Sequence, residues 1–158
     1  MDGFGAVLIK LDKIDKGKTN LVQVIFSCLF VKCDVLALQE LRMTSHKAAT
    51  LQKICKQNGF DLFHSKLPDL CKNARGMAID KTIPGVGFLA KHVPTRQIDV
   101  RELAKWNQSG RCHAIQIYIR HRWYNFLSFY APVGNSTDMM DDIASYLINK
   151  TGDPIIMI

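Results

Sequence analysis

Proline and glycine are scarce, with five prolines and ten glycines scattered over 158 residues, which excludes a collagen-like or low-complexity chain. The five cysteines (Cys28, Cys33, Cys55, Cys71, Cys112) are odd in number and form no C-x-x-C pair, so neither a disulfide framework nor a zinc site is expected. Their thiols are read as reduced, in an intracellular protein of the nucleus or cytoplasm. The longest apolar run, Leu21 to Val31, is interrupted by Gln23 and Ser27 and falls short of the ~20 residues needed to cross a bilayer. Met1-Asp2-Gly3-Phe4 carries no positive n-region, so neither a secretory leader nor a membrane partner is expected. Acid is in short supply: 14 Asp and Glu face 21 Lys and Arg, a net charge of +7. Such a balance favours polyanionic partners, namely nucleic acid, anionic lipid or a phosphorylated substrate. There is no G-x-x-x-x-G-K-[ST], H-E-x-x-H or G-x-S-x-G, and Gly85-Val86-Gly87 lacks the third glycine of a dinucleotide loop. No small organic cofactor is therefore expected.

The chain alternates strands and helices. Gly5 to Leu11 reads as a strand, followed by the charged turn Asp12 to Lys18. Leu21, Val24, Ile25, Cys28 and Leu29 repeat at helical spacing. Asp34 to Gln39 reads as a buried strand that ends on Glu40. A helix is predicted over Ser45 to Gln57, capped by Thr44 or Ser45, striped by Ala48, Leu51, Ile54 and Cys55, and closed by Asn58-Gly59. Phe60 to His64 is a strand, Lys66 to Ala74 a loop, Met77 to Ile79 a strand extension, and Gly85 to Ala90 a further strand. Arg111 to Ile119 and Asn125 to Ala131 form a hairpin about the polar turn Arg120-His121-Arg122-Trp123. Thr137 and Asp138 open a last helix with Met139, Ile143, Tyr146 and Leu147 on its apolar face. After the turn Thr151 to Pro154, the wholly apolar Ile155 to Ile158 reads as a central strand buried on both faces.

Three places carry candidate chemistry. Glu40 sets a carboxylate at the end of a buried strand, where α/β proteins place their sites and where a hard cation finds an oxygen ligand. Asp12 ends the first strand and shares that rim if the two strands are parallel neighbours; an ordinary solvated charge is the competing reading for both acids. Tyr130 ends the hairpin and can aim its hydroxyl at a phosphate, although tyrosines at strand ends are common. Arg111, His113, Arg120, His121 and Arg122 with Trp123 and Tyr124 make a basic, aromatic hairpin suited to gripping phosphates and stacking on bases, or else a plain polar turn.

Together these segments resemble the endonuclease/exonuclease/phosphatase superfamily. Asp34-Val35-Leu36-Ala37-Leu38-Gln39-Glu40, continued by Leu41 to Thr44, is similar to its D-(I/V)-L-x-L-Q-E-T signature. Gly85 to Lys91 is similar to the G-V-G-(L/I)-L-(S/A)-K strand of exonuclease III, apurinic endonucleases and non-LTR retrotransposon endonucleases. Gly110-Arg111 through Tyr130-Ala131-Pro132 resembles the G-R…Y-x-P segment, and Gly152 to Ile158 the strand before G-D-x-N. The resemblance implies an α+β, DNase I-like four-layer α/β/β/α sandwich, of which residues 1–158 would be about the first half, with one apolar sheet face left without its partner. It implies Mg²⁺, or Mn²⁺ in its place, held by Glu40, with Tyr130 positioning the scissile phosphate; Asp12 is expected as a second metal ligand from its place on the rim, and Arg111, Arg120 and Arg122 of the basic hairpin are expected on nucleic acid, DNA ahead of RNA. The first strand departs from the family pattern N-x-(N/D), since Asp12 and Ile14 stand at those positions and the Asn amide donor is lost. The implied activity is metal-assisted in-line phosphodiester hydrolysis by a fragment that is inactive or nearly so alone, because the later catalytic groups fall beyond Ile158. The alternatives are a non-catalytic nucleic-acid-binding remnant and a phosphoesterase of a non-nucleic substrate.

Overall fold

The computed structural model describes residues 6–10, 34–41, 43–67, 71–73, 76–78, 84–91, 93–132, 134, 136–149 and 154–157. The expected turn at Asp12 to Lys18, the helix over Leu21 to Leu29 and Gly152-Asp153 lie outside them. The strands are β1 (Ala6–Lys10), β2 (Val35–Gln39), β3 (Phe60–His64), β4 (Cys71–Asn73), β5 (Gly76–Ala78), β6 (Val86–Lys91), β7 (Thr95–Gln97), β8 (Cys112–Ile119), β9 (Arg122–Phe129) and β10 (Ile155–Met157). The helices are α1 (Ser45–Gln57), α2 (Ala104–Gln108) after a 3-10 turn at Arg101–Leu103, and α3 (Thr137–Asn149).

Two four-stranded sheets form, ordered β1-β2-β6-β3 and β10-β9-β8-β7, beside a small β4-β5 ribbon. Period-2 alternation on strands buried on both faces builds three apolar layers. Leu36, Leu38, Leu62 and Leu89 pack under Ala48, Leu51 and Cys55 of α1. Val35, Ala37, Phe88 and Ala90 of the first sheet meet Ile115, Ile117 and Phe126 of the second. Cys112, Ala114 and Leu127 pack under Met139, Ile143 and Tyr146 of α3, with Leu103 alongside. The order is therefore helix, sheet, sheet, helix. The bare sheet face expected of half a sandwich is not what folds: both sheets lie within this chain, and each covers the other.

α1 takes the predicted bounds, and Thr44 caps it by accepting from the Lys47 amide at 3.3 Å. Elsewhere the expectations shift. Cys71–Asn73, expected as loop, pairs with Gly76–Ala78. The hairpin turn contracts to Arg120-His121, both at positive φ (48° and 66°), because the type I′ geometry matches strand twist, and β9 starts at Arg122. The apolar Ile155–Met157 docks parallel to β9 as the outermost described strand rather than a central one, and Met157 is half exposed. α2 is anchored to α3 where Trp106 Nε1 donates to Asp142 Oδ2 at 2.7 Å and Lys105 Nζ lies 2.8 Å from the same oxygen.

Candidate functional site

The rim forms where β2 and β9 both end. Every residue of β2 is buried, and the chain leaves it through Glu40, itself buried and at φ 55°. A non-glycine residue in the left-handed region is uncommon and held only by its surroundings. Here the clamp is backbone: the Leu41 amide donates to the Gly85 carbonyl at 3.0 Å. Gly85 sits at φ 72°, and a Cβ there would lie 2.7 Å from Leu67 Cδ2 and 3.0 Å from Leu41 Cβ. Glycine is required for this close approach. Two residues on, a Cβ at Gly87 would run into the Phe63 carbonyl. The Gly-Val-Gly run thus shapes the Glu40 turn from the neighbouring strand.

Gln39 bridges the two sheets at this end. Its Nε2 donates to the Phe129 carbonyl at 2.8 Å, so Glu40 and Tyr130, one residue beyond each partner, come to the same rim. Arg111 joins them: the Tyr130 amide donates to the Arg111 carbonyl at 2.8 Å, and Arg111 Nη1 donates to the Tyr130 carbonyl at 3.4 Å. The Arg111 amide is in turn fixed on the Trp106 carbonyl at 2.8 Å. β1 pairs parallel to β2 with Lys10 beside Gln39, so the two strands are the expected neighbours; Asp12 lies outside the described residues. Arg120 and Arg122 sit at the opposite end of the β8–β9 hairpin, about 25 Å from Tyr130 at 3.3 Å per residue. The rim therefore gathers Glu40, Tyr130 and Arg111 and not Arg120 or Arg122.

His113 and Tyr124, read from sequence as part of the basic hairpin surface, both point between the sheets. Tyr124 packs on the inter-sheet layer. His113 is buried beside Phe88, and burial, reinforced by nearby His64, pushes its pKa down to about 4. Asn107 Nδ2 donates to its Nδ1 at 3.0 Å, which leaves the ring proton on Nε2, without a partner among the described residues. This neutral imidazole faces Ser128, its cross-strand pair, whose Oγ is also buried and unpartnered. Sequence reasoning missed Gln39 as the inter-sheet tie, because its partner lies 90 residues away and nothing local marks it.

Among the described residues no three His, Cys, Asp or Glu side chains converge as a metal cluster. A buried carboxylate at a strand end nevertheless fits a hard cation that draws its other ligands from water and phosphate oxygens.

No family model and no curated protein matches the sequence. Solved structures do match. The endonuclease domain of TRAS1, a telomere-specific non-LTR retrotransposon, is similar at TM-score 0.61 and 10% identity over 98% of this chain and 57% of that one. The fold is DNase I-like. D. rerio TDP2 complexed with single strand DNA product shares this DNase I-like fold at TM-score 0.58 and 12% identity, over 98% of this chain and 58% of that chain. ANGEL2, a 2′,3′-cyclic phosphatase, matches at TM-score 0.50 and 12% identity over 87% of this chain and 41% of its own. These neighbours are DNase I-like members of the endonuclease/exonuclease/phosphatase superfamily. The chain spans 57% and 58% of the length of the first two. No described helix is long and apolar enough to cross a membrane.

Proposed function

We propose that this chain forms the phosphate- and metal-holding part of a divalent-metal-dependent phosphodiesterase acting on nucleic acid, DNA ahead of RNA. The observation that carries the reading is the Gln39–Phe129 bond, which puts the Glu40 turn and the Tyr130–Arg111 pair on one rim. Glu40, with Asp12 as the proposed second carboxylate, would hold Mg²⁺ or Mn²⁺. A divalent ion bound there supplies Lewis-acid polarisation of a phosphate oxygen. Arg111, anchored through its own backbone to Tyr130 and Trp106, presents a planar cation to the phosphodiester. Tyr130 offers its hydroxyl to a phosphate oxygen. The +7 charge and the single-stranded DNA in the TDP2 complex support a nucleic-acid substrate. Because the chain spans little more than half of the TRAS1 domain, the 158 residues alone are proposed to turn over slowly at best.

The test is binding of a labelled oligonucleotide with and without Mg²⁺, beside plasmid nicking. Wild type should bind more tightly with Mg²⁺, Glu40→Gln should lose that gain, and Arg111→Gln should weaken binding with or without the ion. A Mg²⁺ response identical in wild type and Glu40→Gln sinks the reading. Salt-dependent binding with no metal response at all favours a non-catalytic binding remnant.

A further inference from the structure

The outer face of the second sheet changes character along its length. Near the rim, Cys112, Ala114 and Leu127 lie under α3. Further along, the same face carries Gln116 and Asn125, then Tyr118 and Trp123, as directly opposed cross-strand pairs, with Arg96 of β7 beside Gln116. Gln116 and Asn125 are both buried, and Gln116 Nε2 donates to Asn125 Oδ1 at 2.8 Å. Gln116 Oε1 accepts from Arg96 Nε at 2.7 Å. The Arg96 guanidinium carbon lies 4.2 Å from the centroid of the Trp123 ring. Tyr118 packs against the same Trp at 5.2 Å between centroids and keeps an exposed face.

Two buried amides and an indole thus fix one exposed arginine. Its Nε is engaged and its plane is stacked, while its two terminal nitrogens have no partner among the described residues. A guanidinium held in this way is pre-organised for a planar, bidentate oxyanion, and little side-chain freedom is lost when one arrives. The exposed Arg120 and His121 lie just beyond, at the hairpin tip, with Arg122 next to them. Among the described residues the patch carries charge of one sign, and together with an exposed aromatic ring this fits a phosphodiester chain with unpaired bases better than a carboxylate-bearing peptide, which offers nothing to stack.

We propose that Arg96, Tyr118 and the Arg120–Arg122 tip form a second nucleic-acid contact for a single strand, separate from the Glu40 rim, with Arg96 on a phosphate and Tyr118 under a base. It rests on the nucleic-acid part of the proposed function but not on its chemistry. The tip is about 25 Å from Tyr130, so one strand of several nucleotides can touch both places, or two segments can occupy them separately.

The experiment is fluorescence anisotropy with a labelled oligothymidylate of about 20 nucleotides, longer than a typical single-strand site. Wild type, Arg96→Gln, Arg96→Lys, Tyr118→Ala and Arg111→Gln are titrated over a range of salt. Arg96→Gln should weaken binding about tenfold and lower the slope of log affinity against log salt by ~0.7, the loss of one phosphate contact. Arg96→Lys should keep the slope and lose part of the affinity, because the charge stays while the fork and the stack go. Tyr118→Ala should weaken binding about tenfold at unchanged slope. Unchanged affinity and slope in Arg96→Gln and Tyr118→Ala overturn the proposal, as does absence of oligonucleotide binding by wild type. Displacement of the oligonucleotide by polyglutamate of equal length at equal concentration overturns the choice of partner. Loss in Arg96→Gln without any Glu40-dependent Mg²⁺ response leaves this contact standing and the catalytic reading refuted; the reverse pattern does the opposite.

Discussion

The two ends of the β8–β9 hairpin handle polar groups in opposite ways. At the Glu40 end they are sunk into the structure: Glu40 is buried, its turn is tied by the Leu41–Gly85 backbone bond, and His113 is sealed between the sheets beside Asn107. At the tip end they are held by side chains and left open: the Gln116–Asn125 pair steadies an exposed Arg96 against Trp123. Buried, backbone-clamped polar groups should be costly to disturb and should set stability. Exposed, side-chain-oriented ones should be cheap to remove and should set binding. The contrast can be broken by showing that the rim tolerates change or that the tip does not.

The largest effect is expected at Gly87. A side chain there must displace the Phe63 carbonyl of the neighbouring strand, which cannot move without breaking the β3–β6 ladder. Gly87→Val should lose about 3 kcal/mol or more in urea unfolding. A loss below about 1 kcal/mol would mean that the rim is looser than its geometry.

Next is the acid limb of stability. His113 has its pKa lowered from 6.5 to about 4 by burial first and His64 second. The unfolded chain therefore takes up this proton before the folded one does. The neutral ring costs the fold nothing above about pH 6.5, and stability falls as pH drops from there towards about 4. The full shift corresponds to about 3 kcal/mol. Subtracting the pH profile of His113→Leu from that of wild type should isolate this loss between pH 6.5 and 4; parallel profiles would show that the ring is hydrated.

How much of this was legible follows from the same burial. β2 is marked by its unbroken apolar run and α1 and the β8–β9 hairpin by a local period, and Glu40 stands out as an acid closing an apolar strand. His113 was misread because alternation marks a polar residue as solvent-facing only when one face of the sheet is wet, and here both are covered. β7, which carries Arg96, is three residues long, too short to show a period, so its pairing beside Gln116 and Trp123 could not be foreseen. The Gln39–Phe129 bond spans 90 residues of sequence, and no local pattern encodes it.

That bond supplies an intermediate prediction. Gln39→Leu keeps the volume and leaves the part-buried Phe129 carbonyl without its donor, which should cost about 1–3 kcal/mol. Since it also unties the two strand ends, the Mg²⁺-dependent gain in oligonucleotide affinity should fall with it. A destabilised variant that keeps the full gain would show that Glu40 and Tyr130 are aligned by something else.

The smallest effect belongs to the other end. Tyr118 is 37% exposed, and its described ring contact is with Trp123, itself half-buried and already covered by Arg96. Removing the ring exposes little new apolar surface and strands no buried polar atom, so Tyr118→Ala should change unfolding free energy by about 0.5 kcal/mol. Set beside its expected loss of oligonucleotide affinity, that near-silence distinguishes a surface kept for a partner from one kept for the fold. A cost as large as that of Gln39→Leu would place Tyr118 in the structural half of the comparison and remove the reason to assign its exposed face to a ligand.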